Sequence, residues 1–485
     1  MSDEIEQEEK KKLLEDVRSR LAFIYELERY IYRLPDKPWS FDQVFSKKDT
    51  ARLWLMDQGL SEKIAAKSLK NGSHVKLHRV DRLHGRPAVY PDAMGRTTLN
   101  LCMPSKIQPD PTKDWPTIRR IMLALCGADP SATPAAPEEL DRQPEKVQAS
   151  FTWLMNWLAA AYQQPNRLWG TAVVVHGTQG AGKTSMGKIL GFLVGDWIEI
   201  GQSHLDATFN GTWAGRLVVV ANEVVDHDKL LNASENKLKA AITDGTVVVN
   251  EKNIRAFEME NRSTWWITSN DSRPVRIPTD DRRFTLLGTW HPLPTGYKEM
   301  LNGFWGPQSL GNADELAGFA AALQAWEVNE ALARTPLDND DRRKVQESSK
   351  PSAEAFFDEL DTFGVAAVVE EVNLAITRPE DQLTVAPSKE HEGHAWYPAS
   401  WCHRLYAAWC KATGHMAAKR ATVKGYVCGP RRGDEKRFNE GRYWRWEKKK
   451  PSLTLVPQIS VTTTTAGPAM PSTQHPINRS ITYGS

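Results

Sequence analysis

The run Gly177-Thr178-Gln179-Gly180-Ala181-Gly182-Lys183-Thr184 fits the pattern GxxxxGK[ST] at every position. Glycines at those places let the backbone curl until several N–H groups face one anion, and a helix beginning just after them adds a favourable dipole. Lys183 supplies a cation for the β and γ phosphates of a nucleotide, and the Thr184 hydroxyl can ligate Mg²⁺. Ser185 follows in the first turn and belongs to the same candidate binding set. The chemistry implied is binding of ATP with Mg²⁺. A chance match in a glycine turn is the competing explanation, and the apolar strand before the loop and the helix after it weigh against that.

Such a loop needs a metal-side acid and a group that positions water. The apolar run Leu217–Ala221 ends in Asn222-Glu223. Glu223 is the expected water-activating or Mg²⁺-organising carboxylate, because ligands gather at the carboxyl ends of parallel strands. A second apolar run, Trp265–Thr268, ends in Ser269-Asn270, and Asn270 at that tip can report whether the γ phosphate is present. An isolated Ser-Asn pair means little, since Asn is common in turns; the ordered series is far more specific.

The elements around these residues read as α/β. TAVVVHG, RLVVVANEV and STWWITSN are short buried strands, MGKILGFLVG and ENKLKAAITDG are helices, and TVVVNEKN is a strand or hairpin arm. Apolar strands alternating with helices predict a parallel sheet covered on both faces, over about 166–300. Before it lie an α+β region, 1–112, and a helical lead-in, 113–165. The first thirty residues read as one charged helix, with Leu13, Leu14, Val17, Leu21 and Ile24 on its apolar side. After the core come a mainly helical region at 301–390, a compact basic domain at 391–448 and a tail at 449–485 with too little apolar content for a core, expected to be disordered.

Five scattered cysteines without a CxxC pair point to a reducing cytoplasm, and no metal-ligand spacing predicts a structural zinc. Neither a signal peptide nor an apolar run of membrane-spanning length is visible, so a soluble cytoplasmic protein without a membrane partner is expected. The net charge of +2 hides an uneven distribution. From His391 to Lys450 there are 14 Lys and Arg against 5 Asp and Glu, which suits an anion-binding module. There, an amphipathic helix carries Trp401, Leu405, Tyr406 and Trp409, and a second helix and a hairpin follow it. Arg431, Arg432, Lys436, Arg437, Arg442 and Arg445 are candidate phosphate contacts, with Tyr443 or Trp444 a candidate for stacking on a base. Helices followed by a basic hairpin point to a winged-helix-like fold.

The ordered series GKT, apolar-Asn-Glu and Thr-Ser-Asn resembles superfamily 3 helicases, particularly the phage and poxvirus-type primase-helicase branch, over about 115–300. The resemblance implies an AAA+-like core that assembles as a homo-oligomeric ring, commonly a hexamer, and translocates on single-stranded or forked DNA. It also implies replication partners such as a primase or polymerase, and the host cytoplasm as location if phage-encoded. Between the second and third motifs lies Lys237–Lys252, which resembles the family's channel hairpin. On that resemblance Lys252 is the first candidate for DNA backbone contact, with Asn253 and Arg255 weaker. The family also implies an arginine finger from the neighbouring subunit. Arg282 or Arg283 is preferred and Arg273 comes next; Arg276 also lies in this stretch, and one of Arg282 and Arg283 would instead pair with Asp280 or Asp281. Asn222 departs from the family, which often has two acids here, and leaves Mg²⁺ ligation resting on Thr184 and Glu223. The 165 residues before the core are too few for a primase module, so a helicase without primase activity is expected. The alternative function is an initiator or loader ATPase that remodels DNA–protein complexes without processive unwinding. A third reading is an origin-binding protein with a degenerate nucleotide site, against which Lys183, Thr184 and Glu223 all speak.

Overall fold

The structure, a computed structural model, describes residues 2–445 apart from 38, 40–42, 46, 71–73, 132–137, 225–230, 253, 272–273, 279, 294–312, 349, 351, 387, 392–393, 414–416, 429–433 and 439–440. The chain forms two compact units that part between Val345 and Gln346.

The first unit opens on α1 (Ser2–Ser19), β1 (Leu21–Ile24) and β2 (Arg29–Tyr32). The helix expected over the first thirty residues therefore stops at Ser19. Leu21–Ile24 pairs antiparallel with Arg29–Tyr32 around a turn in which Glu28 takes φ +53°. That pairing buries Ala22, Ile24 and Ile31 against the body of the unit, and such non-local burial overrides local helical spacing. Next come α2 (Lys48–Asp57), α3 (Glu62–Lys70), β3 (Val75–Leu77), β4 (Arg79–Asp81), β5 (Val89–Pro91) and β6 (Thr97–Asn100). These strands build two small sheets, ordered β2-β1-β3 and β4-β6-β5.

The central layer follows: α4 (Pro116–Leu125), α5 (Glu145–Gln163), β7 (Ala172–Gly177), α6 (Lys183–Val194), β8 (Trp197–Gly201), β9 (Val218–Asn222) and α7 (Leu231–Thr243). A hairpin of β10 (Thr246–Val249) and β11 (Phe257–Glu260) leads to β12 (Thr264–Ser269) and β13 (Phe284–Thr289). Helices α8 (Ala313–Ala325) and α9 (Asp340–Ser348) come after them. Five strands form one sheet ordered β13-β7-β12-β9-β8, every pair parallel. A parallel strand must hide both faces, and β7 does so residue by residue. Val173 and Val175 join a core with α4, α5, α6 and α8, while Ala172 and Val174 face a second core. That second core contains Ala22, Ile24, Leu77, Val80 and Leu99 of the N-terminal strands, Ile242 of α7 and Phe257 of the hairpin. The N-terminal sheets thus cover one face of the central sheet.

Charged groups tie the same layers together. Asp196, fully buried, accepts hydrogen bonds from Arg82 and Arg216, each at 2.9 Å, and Arg262 meets Asp81 at 2.7 Å. Burial pulls the Arg82 guanidinium below its ordinary range, and Asp196 opposes that shift.

The second unit contains α10 (Ser352–Phe363), α11 (Val365–Leu374), β14 (Lys389–His391), β15 (His394–Pro398), α12 (Ala399–Thr413), α13 (Arg420–Cys428), β16 (Asp434–Phe438) and β17 (Gly441–Arg445). Its sheet runs β14-β15-β17-β16, and Phe356, Phe357, Trp401, Tyr406, Trp409 and Trp444 fill its core. The segment 301–390, read from sequence as one helical region, is divided. Helix α8 belongs to the first unit's core, where Phe319 packs 4.9 Å from Trp115, whereas α10 and α11 belong to the second. The tail 449–485 lies outside the described residues. Among the described residues no helix is long and apolar enough to cross a membrane.

Candidate active site

The glycine loop joins β7 to α6 at the carboxyl edge of the parallel sheet. Gly177 has φ +114°, and a Cβ there would lie 2.1 Å from the Thr289 carbonyl oxygen of β13. Gly182, at φ +81°, is the residue on which α6 starts. Both positions need glycine, the first for close approach and the second for a left-handed backbone. Thr178, Gly180, Thr184 and Ser185 are half-buried, Gln179 is exposed, and Ala181 and Gly182 are buried.

Lys183 is the buried cation of this edge, 7% exposed. Its Nζ donates to the carbonyls of Gly177 and Thr178, both at 2.8 Å, and to Asn270 Oδ1 at 2.9 Å. Burial holds its pKa below the ordinary lysine range. Asn270 follows the last residue of β12, the strand beside β7, so the loop and the third motif meet through one ammonium group. Trp266, three strand residues before Ser269 on the face toward α6, donates its indole N–H to the Lys183 carbonyl at 2.9 Å. That bond fixes the helix start to the sheet.

Asn222 is the last residue of β9, which lies on the far side of β12 from β7. Its Oδ1 accepts from Thr184 Oγ1 and from Thr268 Oγ1, each at 3.1 Å. Its amide nitrogen donates to Glu199 of β8, whose other carboxylate oxygen meets Lys188 at 2.7 Å. Asn222, not Glu223, is therefore the side chain held against the Thr184 hydroxyl. Glu223 takes φ +53°, a left-handed conformation that L residues rarely adopt, and its side chain is exposed at the sheet edge. Among the described residues its carboxylate has no partner. A Mg²⁺ ion bound with phosphates needs only one or two protein oxygens. The residues present fit that demand: Thr184 and Asn222 offer such a pair, with Glu223 one position on. The side-chain alternation along a strand was the signal for Asn222: the residue that ends the strand and the one beyond it turn different ways.

Arg282 and Arg283 occupy the other end of the sheet. The Arg283 carbonyl accepts from Ala172 N at 2.8 Å, whereas Thr178 N reaches Thr289 O at 2.8 Å, so six residues of β7 separate them from the loop. At about 3.3 Å per residue that is roughly 20 Å, beyond the reach of either guanidinium. Arg283 pairs with Asp281 at 3.2 Å, and Arg282 and Arg276 are exposed. Arg273 lies outside the described residues.

The candidate DNA contacts separate in the same way. β10 and β11 pair in register from Thr246↔Glu260 to Val249↔Phe257, and Lys252 and Arg255 sit exposed at the tip. Asn210 anchors the arm by bonding the Asn250 N–H at 2.7 Å and the Val248 carbonyl at 2.8 Å. Arg255 lies 3.8 Å from Glu28, and Asn253 is outside the described residues. In the second unit Trp444 is fully buried and Tyr443 nearly so, which corrects the expectation that either ring is free to stack on a base. The Trp444 indole donates to Glu435 at 2.8 Å and belongs to the core. Arg442 also meets Glu435, at 3.2 Å, Lys436 bonds His391, and Arg445 lies over the Trp396 ring at 5.5 Å. Arg437 is exposed, and Arg431 and Arg432 are outside the described residues.

A mixed α/β chain with a five-stranded parallel sheet and a glycine loop at its carboxyl edge is the class these observations define. A family model described only as a family of unknown function, DUF5906, matches residues 175–283, from the loop strand to the start of β13. The DNA Primase-polymerase of Nitratiruptor phage NrS-1 is 32% identical over 195 residues, 38% of this chain. The chain spans about a quarter of that relative's length, 26%. The apo structure of the NrS-1 C terminal region (305–718) superposes with a TM-score of 0.58 at 21% identity, covering 89% of this chain and 96% of that one. An A form apo structure of the same region gives 0.56 at 20% identity, covering 88% and 96%. These likenesses show a shared fold. JCV Helicase, at a TM-score of 0.25 over 53% of this chain and 64% of its own, is too distant to bear on it.

Proposed function

We propose that the chain is an ATP- and Mg²⁺-dependent DNA helicase of superfamily 3 type, a homo-oligomeric, hexameric ring acting in phage DNA replication in the host cytoplasm. The observation that carries this reading is the meeting of Lys183 Nζ with the loop carbonyls and Asn270 Oδ1 at 2.8–2.9 Å, with Thr184 and Asn222 beside them. Three motifs far apart in sequence converge on one sheet edge. The partial identity to a phage protein named a DNA Primase-polymerase supports the replication setting.

In this reading the core is AAA+-like. The loop N–H groups and the Lys183 ammonium bind the β and γ phosphates, which requires Lys183 to exchange its loop carbonyls for phosphate oxygens. Bound Mg²⁺ supplies neutralisation of charge between those phosphates. Thr184 and Asn222 orient toward it, Glu223 takes the proton of the attacking water, and Asn270 registers the γ phosphate through the Lys183 contact. Arg282 or Arg283, both too far from their own loop, or else Arg273, would act as the finger on a neighbouring subunit's site. Lys252 on the hairpin tip follows the DNA backbone without reading bases. The second unit is a winged-helix-like DNA contact, with Arg437 and Arg442 on its hairpin.

Strand displacement on forked DNA with ATP, measured beside Glu223→Gln, tests the proposal. Wild type should unwind, and the variant should bind ATP yet turn over about 100-fold more slowly, the usual scale for losing one group that acts in the transition state. Unwinding that survives the substitution would remove Glu223 from catalysis, and a wild-type protein that neither binds nor splits ATP would end the proposal.

A further inference from the structure

Trp290 has no role in the site as drawn, yet it stands directly beside the phosphate loop. Among the described residues it is the only tryptophan with a largely open surface, 52% exposed, whereas Trp153, Trp157, Trp265, Trp266, Trp396 and Trp444 are fully buried. It follows β13, the strand that pairs with β7 up to Thr289↔Gly177. Its backbone is laced to the loop: Thr178 N donates to Thr289 O at 2.8 Å, Thr178 Oγ1 to Trp290 O at 3.1 Å, and Leu293 N to Gly180 O at 3.2 Å. The indole ring packs perpendicular to the buried His176 ring, centroids 5.7 Å apart. A large apolar ring is thus held at a set distance from the phosphate cradle with more than half its surface open.

We propose that Trp290 is the base-stacking wall of this site, so that the ligand is recognised as a nucleoside triphosphate and not as a bare polyphosphate. The inference rests on the nucleotide reading above and extends it from the phosphates to the base. A base joined through its ribose to phosphates in the loop has to leave the cradle over one of the loop's flanking segments. Residues 289–293 form such a segment, and Trp290 is its largest ring with an open surface, next to the smaller exposed imidazole of His291. Every nucleobase offers a π face, so the contact favours nucleotides over inorganic polyphosphate while discriminating little among bases.

Calorimetric titration of the full chain with ATP and with inorganic tripolyphosphate, both with Mg²⁺, separates the possibilities in wild type, Trp290→Ala and Trp290→Phe. Trp290→Ala should weaken ATP binding about tenfold, the scale of one lost base–aromatic stack, and leave tripolyphosphate unchanged. Trp290→Phe should stay within about threefold of wild type for both, since a phenyl ring still stacks. ATP binding unchanged in Trp290→Ala would overturn the assignment. So would an equal loss for both ligands, which would mean a damaged loop, or a loss confined to DNA binding, which would give the ring to DNA. Wild type that binds tripolyphosphate but gains nothing from the base would sink the stacking wall alone; wild type that binds neither would sink the nucleotide reading together with it.

Discussion

The loop edge of the central sheet and the basic hairpin of the second unit are both rich in polar side chains, and they use them differently. At the sheet edge a few groups converge from three strands and the loop: Lys183 meets Asn270, and beside them Asn222 joins Thr184 to Glu199, with Glu223 left projecting. On the hairpin and the elements packed against it, the cations are mostly spent on their own unit. Lys424 and Arg442 neutralise Glu435, Lys389 lies over Tyr443 and Arg445 over Trp396. The difference teaches that cation density is a poor guide to a site. A site holds ionisable groups where the surrounding fold leaves them a vacant partner, and most of the hairpin's charge already has one.

Lys183→Ala should show the largest effect. It removes the one ammonium that the loop and Asn270 share, so ATP turnover should fall by about 10² to 10³-fold, the scale of losing a positioned charge in a buried site. The expected melting temperature is close to wild type, because the freed carbonyls of Gly177 and Thr178 border a half-exposed loop. Steady-state hydrolysis with and without DNA, beside a thermal melt, checks this. Turnover within a few-fold of wild type would erase the contrast between the two regions.

Trp444→Ala attacks the other side of the comparison. If the ring is core, its loss should destabilise the second unit by about 3–5 kcal/mol, as for other large buried aromatics. A ring kept for stacking on DNA would instead lower DNA affinity and leave stability alone. Differential scanning calorimetry of the full chain, beside DNA binding at matched salt, distinguishes the two.

A smaller effect should come from pH at His176, the buried β7 residue that precedes Gly177. Burial lowers its pKa, Asp341 opposes that shift, and Lys183 and Lys344 reinforce it. The imidazole is therefore neutral in the fold where the unfolded chain, with an ordinary value near 6.5, takes up a proton. Stability should fall as pH drops from about 7 toward 5, by at most about 1.4 kcal/mol per pH unit, and level off below the depressed value. Urea unfolding of wild type and His176→Gln across that range should show the shallower slope in the variant. Equal slopes would mean that the protonated ring finds a partner in the fold.

What the sequence disclosed follows the same division. The loop, the strand ends at Asn222 and Asn270, and the hairpin were readable because glycine spacing, β-branched runs and turn residues are local constraints. Leu21–Ile24 was not, since its pairing with Arg29–Tyr32 and its burial on the central sheet are non-local. The buried Asp196 cluster was equally invisible: Arg82, Asp196 and Arg216 are up to 134 residues apart and nothing in their neighbours marks them. Asn222 was visible as a departure from two acids, but only its contact with Thr184 shows which of Asn222 and Glu223 faces the loop. Tyr443 and Trp444 misled because aromatic residues among arginines look alike whether they stack on a base or fill a core.

The finest test contrasts two arginines that face each other across the hairpin, Arg437 and Arg442. Arg442 pairs with Glu435, and with 63% of its side chain exposed that pair should contribute at most about 1 kcal/mol. Arg437 is exposed with no partner among the described residues. If an unspent charge is what DNA phosphate meets, Arg437→Ala should leave the melting temperature unchanged, weaken DNA binding a few-fold and lower the salt slope by about one. Arg442→Ala should then perturb stability slightly and DNA binding less, because its charge is already balanced by Glu435. Binding isotherms at several salt concentrations decide it. The reverse ranking would mean that DNA displaces Glu435 from Arg442, and pairing inside the unit would no longer separate spent charge from available charge.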